Sequence, residues 1–292
     1  MIAMARFDFK AIGTTWQIDI YSELTESAAA NILSKIKTRI DIFDKAYSRF
    51  REDSLVTKMS KETGAFVLPP DAEPMFSLYH DLYIRTGGFF TPLVGKLLSD
   101  AGYDAQYSLQ QKNKLAIPPA WDDALDYKYP NLLVKKPVLM DFGAAGKGYL
   151  IDLVAEVLEV EGINGYCIDA GGDILHKDDK PIRVGLEHPD NKDQVIGVYS
   201  LQGKALCGSA GNRRKWADFT HIMNPKTLSS PKNIIAVWVA ADRAIIADAL
   251  TTCLFFVPAG TLAGAYDFEH LLVRSDHSIE KSDGFSAEVF VS

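Results

Sequence analysis

The chain has 292 residues, 47% apolar and 24% charged, with a formal net charge of -7. That length suffices for a large buried core, and the negative balance leaves no sequence-wide basic footprint, which argues against a nucleic-acid partner. No apolar run reaches the roughly 18 residues that a membrane span needs. The opening MIAMARFDF has neither a long apolar stretch nor a cleavage site, so the chain as given reads as cytoplasmic, or as periplasmic and membrane-anchored where a leader has been removed.

In chain order, FDFKAIG and TTWQIDIY read as two strands, the second alternating with period two. A helix follows over about 26–46, with Ile32, Ile36, Ile40 and Phe43 at helical spacing. YSRFREDSLVTKMS is polar and turn-like. A second helix is predicted over about 72–86, ended by Gly87 and Gly88. The stretch 103–137 is rich in Pro, Asp and Lys and reads as a long surface excursion.

VLMDF reads as a strand, GAAGKG as a turn and YLIDLVAEVLEVEG as a helix. GYCIDAGGDIL is strand, glycine turn, strand; IRVGLEH and VIGVYSL look like paired strands. IIAVWVAA is a fully apolar strand leading into a helix over about 243–256, and HLLVRS and SAEVFVS close the chain as edge strands. Strands and helices mix without a βαβ rhythm, which favours an α+β fold. Cys167, Cys207 and Cys253 form no CxxC pair, so a zinc site or disulfide framework has no support; Cys167 and Cys253 read as small core residues.

Four places carry candidate chemistry. Asp248 and Thr252, at i and i+4 in ADALTT, put a carboxylate and a hydroxyl on one helix face, an oxygen pair that suits Mg²⁺. The same pair is also consistent with a carboxylate near a helix dipole and a threonine bonded back to its own helix. GAAGKGY (143–149) is a small-residue turn whose backbone and Lys147 can meet a phosphate, or simply a tight turn where helix packs on sheet. AGGDI (170–174) is either a site or a hairpin turn with an acidic tip. His221 in FTHIMNP is either structural or a base for an attacking hydroxyl. His80, His176, His188, His270 and His277 lie in no such motif and read as solvated or structural.

Taken in order, these segments resemble the FAD:protein FMN transferases, the ApbE family. The likeness runs from Gly13-Thr14 through YSRFREDS, GGFFTPLVG, DFGAAGKGYLID, DAGGDI, GSAGN, THIMNP and ADALTT. Each motif alone is modest; eight in order over nearly the whole chain carry the identification.

The resemblance implies a T-fold-like α+β architecture, with one domain over 1–292. It implies a Mg²⁺ held by Asp248, Thr252 and the backbone oxygen of Gly146. It places FAD against Ile12, Gly13, Thr14, Phe50, Phe89, Phe90, Thr91, Asp141, Lys147, His221 and Ile222. His221 and Asp248 are the implied catalytic residues, His221 as base. The implied reaction joins the FMN half of FAD through a phosphoester to a Ser or Thr of a target flavoprotein and releases AMP. An FAD pyrophosphatase and a non-catalytic FAD-binding module are the alternatives.

Ile12 stands where the family usually has Met, Thr91 and Asn224 where it has Asp, and Ser209-Ala210-Gly211 splits its Ser-Gly pair. Loss of the two carboxylates predicts weaker substrate positioning.

Overall fold

The computed structural model describes residues 5–212 and 214–290. Its first two strands, β1 (Ala5–Ala11) and β2 (Thr14–Ile20), pair from Ala5↔Ile20 to Ala11↔Thr14. That register leaves Ile12 and Gly13 as the whole turn, both at positive φ (43° and 77°), as a tight hairpin turn of this twist requires. α1 (Glu26–Tyr47) starts where the Thr25 side chain accepts a bond from the Ala28 N–H at 3.2 Å, and it buries Ile32, Ile36, Ile40, Phe43 and Tyr47. YSRFREDSLVTKMS is not wholly turn: α2 (Leu55–Met59) begins at Ser54, whose hydroxyl accepts from the Thr57 N–H at 3.0 Å.

β3 (Gly64–Val67), α3 (Glu73–Arg85), α4 (Gly95–Asp100), α5 (Trp121–Ala124), β4 (Leu125–Lys128) and β5 (Asn131–Val134) follow. The reading of 103–137 as a surface excursion is thus corrected in its second half. Trp121, Leu125, Leu132 and Val134 are buried there, and the sheet β3-β5-β4 covers α3 from outside. VLMDF is not a strand. It runs extended between loops, bonded by the Val138 N–H to the Met59 carbonyl (3.3 Å) and by the Asp141 N–H to the Pro92 carbonyl (2.7 Å), with no ladder partner.

The remaining elements are α6 (Gly146–Val160), β6 (Tyr166–Ala170), β7 (Ile174–Lys177), β8 (Ile182–His188), β9 (Asn191–Leu201), β10 (Ala205–Ala210), β11 (Lys215–Trp216), β12 (Phe219–Thr220), β13 (Ile234–Ala241), α7 (Ala244–Cys253), β14 (Glu269–Arg274), β15 (Ile279–Lys281) and β16 (Ala287–Val289). An antiparallel sheet runs in the order β1-β2-β6-β7-β10-β13-β14-β15, and a smaller one in the order β16-β9-β8. HLLVRS is therefore an inner strand, β14, whereas SAEVFVS does supply an edge.

β13 explains its own composition. Val237, Val239 and Ala241 join the core beneath α1, α6 and α7, while Ala236, Trp238 and Ala240 join a second core against the smaller sheet with Leu186, Leu201 and Phe285. A strand buried on both faces has no position for a polar residue. Cys207 and Cys253 are buried and Cys167 partly so, all three free. No helix among the described residues is long and apolar enough to cross a membrane.

α6 and α7 cross at close range. A Cβ on Gly148 would overlap the Ala244 carbonyl oxygen and lie 2.7 Å from the Asp248 Cβ, so only glycine allows the approach. The Asp152 carboxylate of α6 then caps α7, accepting from the Ala244 N–H (2.8 Å) and the Ile245 N–H (3.1 Å).

Candidate active site

A cleft of about 660 Å³ opens at the ends of these elements, within the range of small-molecule sites. Ile12, Gly13, Thr14, Phe50, Phe89, Phe90, Thr91, Asp141, Gly146, Lys147, His221, Ile222, Asp248 and Thr252 all line it. Two glycine turns distant in sequence abut at its edge: a Cβ on Gly171, after β6, would overlap the Thr14 hydroxyl of the first hairpin.

Asp248 and Thr252 reach the cleft from one face of α7. The Asp248 carboxylate is 5% exposed and accepts from the Gly148 N–H at 2.8 Å. Burial, and after it the neighbouring Asp173, pushes its carboxyl up to about 8, against the pull of Lys147. Lys147 itself is ion-paired with Asp173, which also accepts from the Gly208 N–H at 3.0 Å. Two buried carboxylates therefore share one ammonium, and a further cation beside Asp248 would restore its charged form. Among the described residues no three acidic, histidine or cysteine side chains group into a metal cage. The oxygen set of Asp248, Thr252 and the Gly146 carbonyl fits a Mg²⁺ that draws its other ligands from water and phosphate.

Several cleft residues escaped the sequence reading. Arg49, buried, donates from Nε to Asp141 and keeps Nη2 buried without a partner. Its guanidinium lies 4.2 Å over the Phe50 ring and 4.8 Å over Tyr103. Arg214 bonds the Tyr103 hydroxyl and has no carboxylate partner among the described residues. The Arg214 guanidinium, with no carboxylate against it among the described residues, suits an anionic ligand. Phe50 stacks on Tyr107 (centroids 5.4 Å apart, 11° between planes), and Phe89 stacks on Phe256 (5.8 Å, 6°). The Lys226 ammonium lies 4.1 Å over the Phe89 ring, so both stacked pairs carry a cation as well. Asp173 had a signal, the acidic tip of AGGDI; Arg49, Tyr103 and Arg214 had none strong enough to lift them above ordinary surface residues.

His221 lines the cleft with Nδ1 buried and unpartnered. Burial, helped by the positive charge of Arg214, holds it down at about 4, so the imidazole is neutral at physiological pH.

The two departures from family carboxylates have a local explanation. The Thr91 hydroxyl accepts from the Leu93 N–H at 3.2 Å as the cap of a 3₁₀ turn. Asn224 Oδ1 accepts from the N–H groups of Lys226 (2.9 Å) and Thr227 (3.2 Å). Asp serves equally well in both positions, so each substitution keeps the side-chain oxygen that the backbone uses.

Aromatic rings, basic side chains and a helical carboxylate–hydroxyl pair thus line one cleft of an α+β protein. The chain belongs to the ApbE family, whose model it matches over residues 12–267. Relatives named FAD:protein FMN transferase include those of Klebsiella pneumoniae (24% identical; 85% of this chain and 77% of that protein) and Escherichia coli K12 (24%; 84% and 76%). Among solved structures, the ApbE protein of Thermotoga maritima superposes with a TM-score of 0.81 at 22% identity, over 96% of this chain and 97% of the other. The flavin transferase ApbE of Vibrio cholerae gives 0.80 at 19%, over 96% and 97%. The α+β fold read from the sequence is the fold of these proteins.

Proposed function

We propose that this chain is a Mg²⁺-dependent FAD:protein FMN transferase, joining FMN through a phosphoester to a Ser or Thr hydroxyl of a target flavoprotein and releasing AMP. The observation that carries the reading is the buried Asp248 carboxylate, short of positive charge, set beside the Gly146–Lys147 turn and an aromatic, cation-lined cleft. The names of the relatives support the transfer of FMN from FAD to protein.

FAD joins flat rings to a diphosphate, and the cleft offers partners for both parts. Phe50, Phe89 and Phe90 give an aromatic wall for the rings; Lys147, Arg49 and Arg214 give positive charge for the diphosphate. Asp248, Thr252 and the Gly146 carbonyl would hold Mg²⁺, which when bound offsets diphosphate charge and favours loss of the leaving phosphate. The acceptor oxygen forms a bond to the FMN phosphorus as the bond from that phosphorus to the AMP oxygen breaks. Neutral His221, on the cleft wall, takes the hydroxyl proton. Holding the reactants in line and neutralising charge are the main tasks in such a transfer.

Incubation with FAD and Mg²⁺ tests the reading. AMP together with flavin covalently bound to a co-expressed flavoprotein, seen as added FMN mass, supports transfer. AMP with free FMN replaces transfer by hydrolysis, and intact bound FAD reduces the chain to a binding module.

A further inference from the structure

We propose that the polypeptide acceptor docks as an added strand along the open edge of β10, in a second cavity that adjoins the flavin cleft. This rests on the transferase reading above.

β7 pairs with β10 only at Leu175↔Ala205 and Ile174↔Leu206. Beyond Leu206, no strand flanks that side of β10 among the described residues. The chain instead arrives at β7 through Gly171 and Gly172, both at positive φ. Alternation along the strand decides which groups face the opening. The His176 N–H bonds the Lys204 carbonyl at 3.0 Å, and the Gly208 N–H bonds the Asp173 carboxylate at 3.0 Å. Lys204, Leu206, Gly208 and Ala210 therefore turn their backbone groups this way. Past the Gly208 N–H, the Gly208 carbonyl and both Ala210 groups run along a gap where a ladder would continue.

The gap is a cavity of about 230 Å³, walled by Asp169, by Val184 and Glu187 of β8, and by Gly208–Ala210. Asn212, at the same wall, donates to the Pro189 carbonyl while its Oδ1 is buried without a donor. Gly208, Ser209 and Ala210 line the flavin cleft as well. One strand edge thus separates the cavity from the charged end of the cleft, where Asp173 links the Gly208 N–H to Lys147. An acceptor hydroxyl has to enter at that end to meet phosphorus.

The occupant that fits is an extended segment whose Ser or Thr has small neighbours, given the cavity's size, and no adjacent carboxylate, given Asp169 on its wall. Main-chain bonds to β10 supply affinity, and alternate side chains supply selection.

The test uses the full chain, FAD, Mg²⁺ and a library of synthetic heptapeptides with a central Ser or Thr among Gly, Ala, Val, Lys and Asp, read by mass gain of FMN. The best peptide is then remade with single backbone N-methyl groups. Strand addition predicts that N-methylation at every second residue raises KM about tenfold, while the residues between tolerate it. Val184→Trp, which fills the cavity away from the flavin, raises peptide KM to a similar degree and leaves FAD Kd unchanged. Equal sensitivity to N-methylation along the peptide overturns the docking, as does an unchanged KM in Val184→Trp. Labelling of a co-expressed flavoprotein with no labelled peptide overturns the docking alone. Intact FAD with no product of either kind removes the transferase reading and this inference with it.

Discussion

Gly148→Ala probes the closest approach in the site. The added Cβ would overlap the Ala244 carbonyl oxygen and lie 2.7 Å from the Asp248 Cβ, and neither atom can swing aside because both are fixed to the α7 backbone. Overpacking of this kind costs about 1–3 kcal/mol. Restoring van der Waals separation means parting the helices by about 1 Å, which breaks the 2.8 Å bond from the Gly148 N–H to Asp248 and costs about 1.5–3 kcal/mol more. The better helix propensity of alanine offsets at most about 1 kcal/mol. The net loss is about 3 kcal/mol. With about 2.1 cal/mol/K of unfolding entropy per residue over 292 residues, that lowers Tm by about 5 °C. Thermal unfolding followed by circular dichroism reads the shift, and transfer should fall with it because Asp248 moves. A Tm at or above that of the unaltered protein would show that the two helices do not touch as described.

Asp248→Asn should cut transfer about 100-fold or more and abolish any rise of Tm on adding Mg²⁺, while the metal-free Tm holds because the amide oxygen still accepts from the Gly148 N–H and burial already favours an uncharged group there; an unchanged rate would end the metal assignment. His221→Ala should slow transfer about 100-fold with little change in FAD Kd, and equal losses in both would make the histidine structural. Because burial holds His221 at about 4 against its ordinary 6.5, the unfolded chain binds the extra proton first as pH falls. Its stabilising share is complete above pH 6.5 and lost as pH drops through 4, up to about 3 kcal/mol, and His221→Gln should flatten that part of a Tm–pH curve; an unaltered slope contradicts this. Thr91→Asp and Asn224→Asp should leave transfer within about twofold, since the new oxygens meet the same N–H groups. A tenfold gain in either variant would mean that a carboxylate there reaches the substrate.

Local patterns foretold the elements wherever one periodicity had one cause. TTWQIDIY alternates because one face of β2 is buried, and α1 shows its stripe because one face meets the core. VLMDF misled because its apolar residues are buried by loops with no ladder to join. β4 and β5 were hidden because each buries only alternate residues of a four-residue strand whose other positions are mostly polar. At the site, the flavin and metal residues implied by the resemblance all line the cleft, yet Arg49 and Arg214 acquire their meaning only through neighbours 92 and 111 positions away, Asp141 and Tyr103. A contact of that range leaves no periodic trace.

The likeness to the family model stops at residue 267, just before β14 (Glu269–Arg274). β14 is the neighbour that completes β13, and Leu271, Val273 and Phe285 pack against Trp238 in the second core. A chain shortened to the matched span would uncover one flank and one face of the strand that leads directly into α7. The end of the family model's match therefore falls inside the folding unit. A minimal enzyme drawn from sequence comparison alone would lack the support on which the Asp248 helix stands.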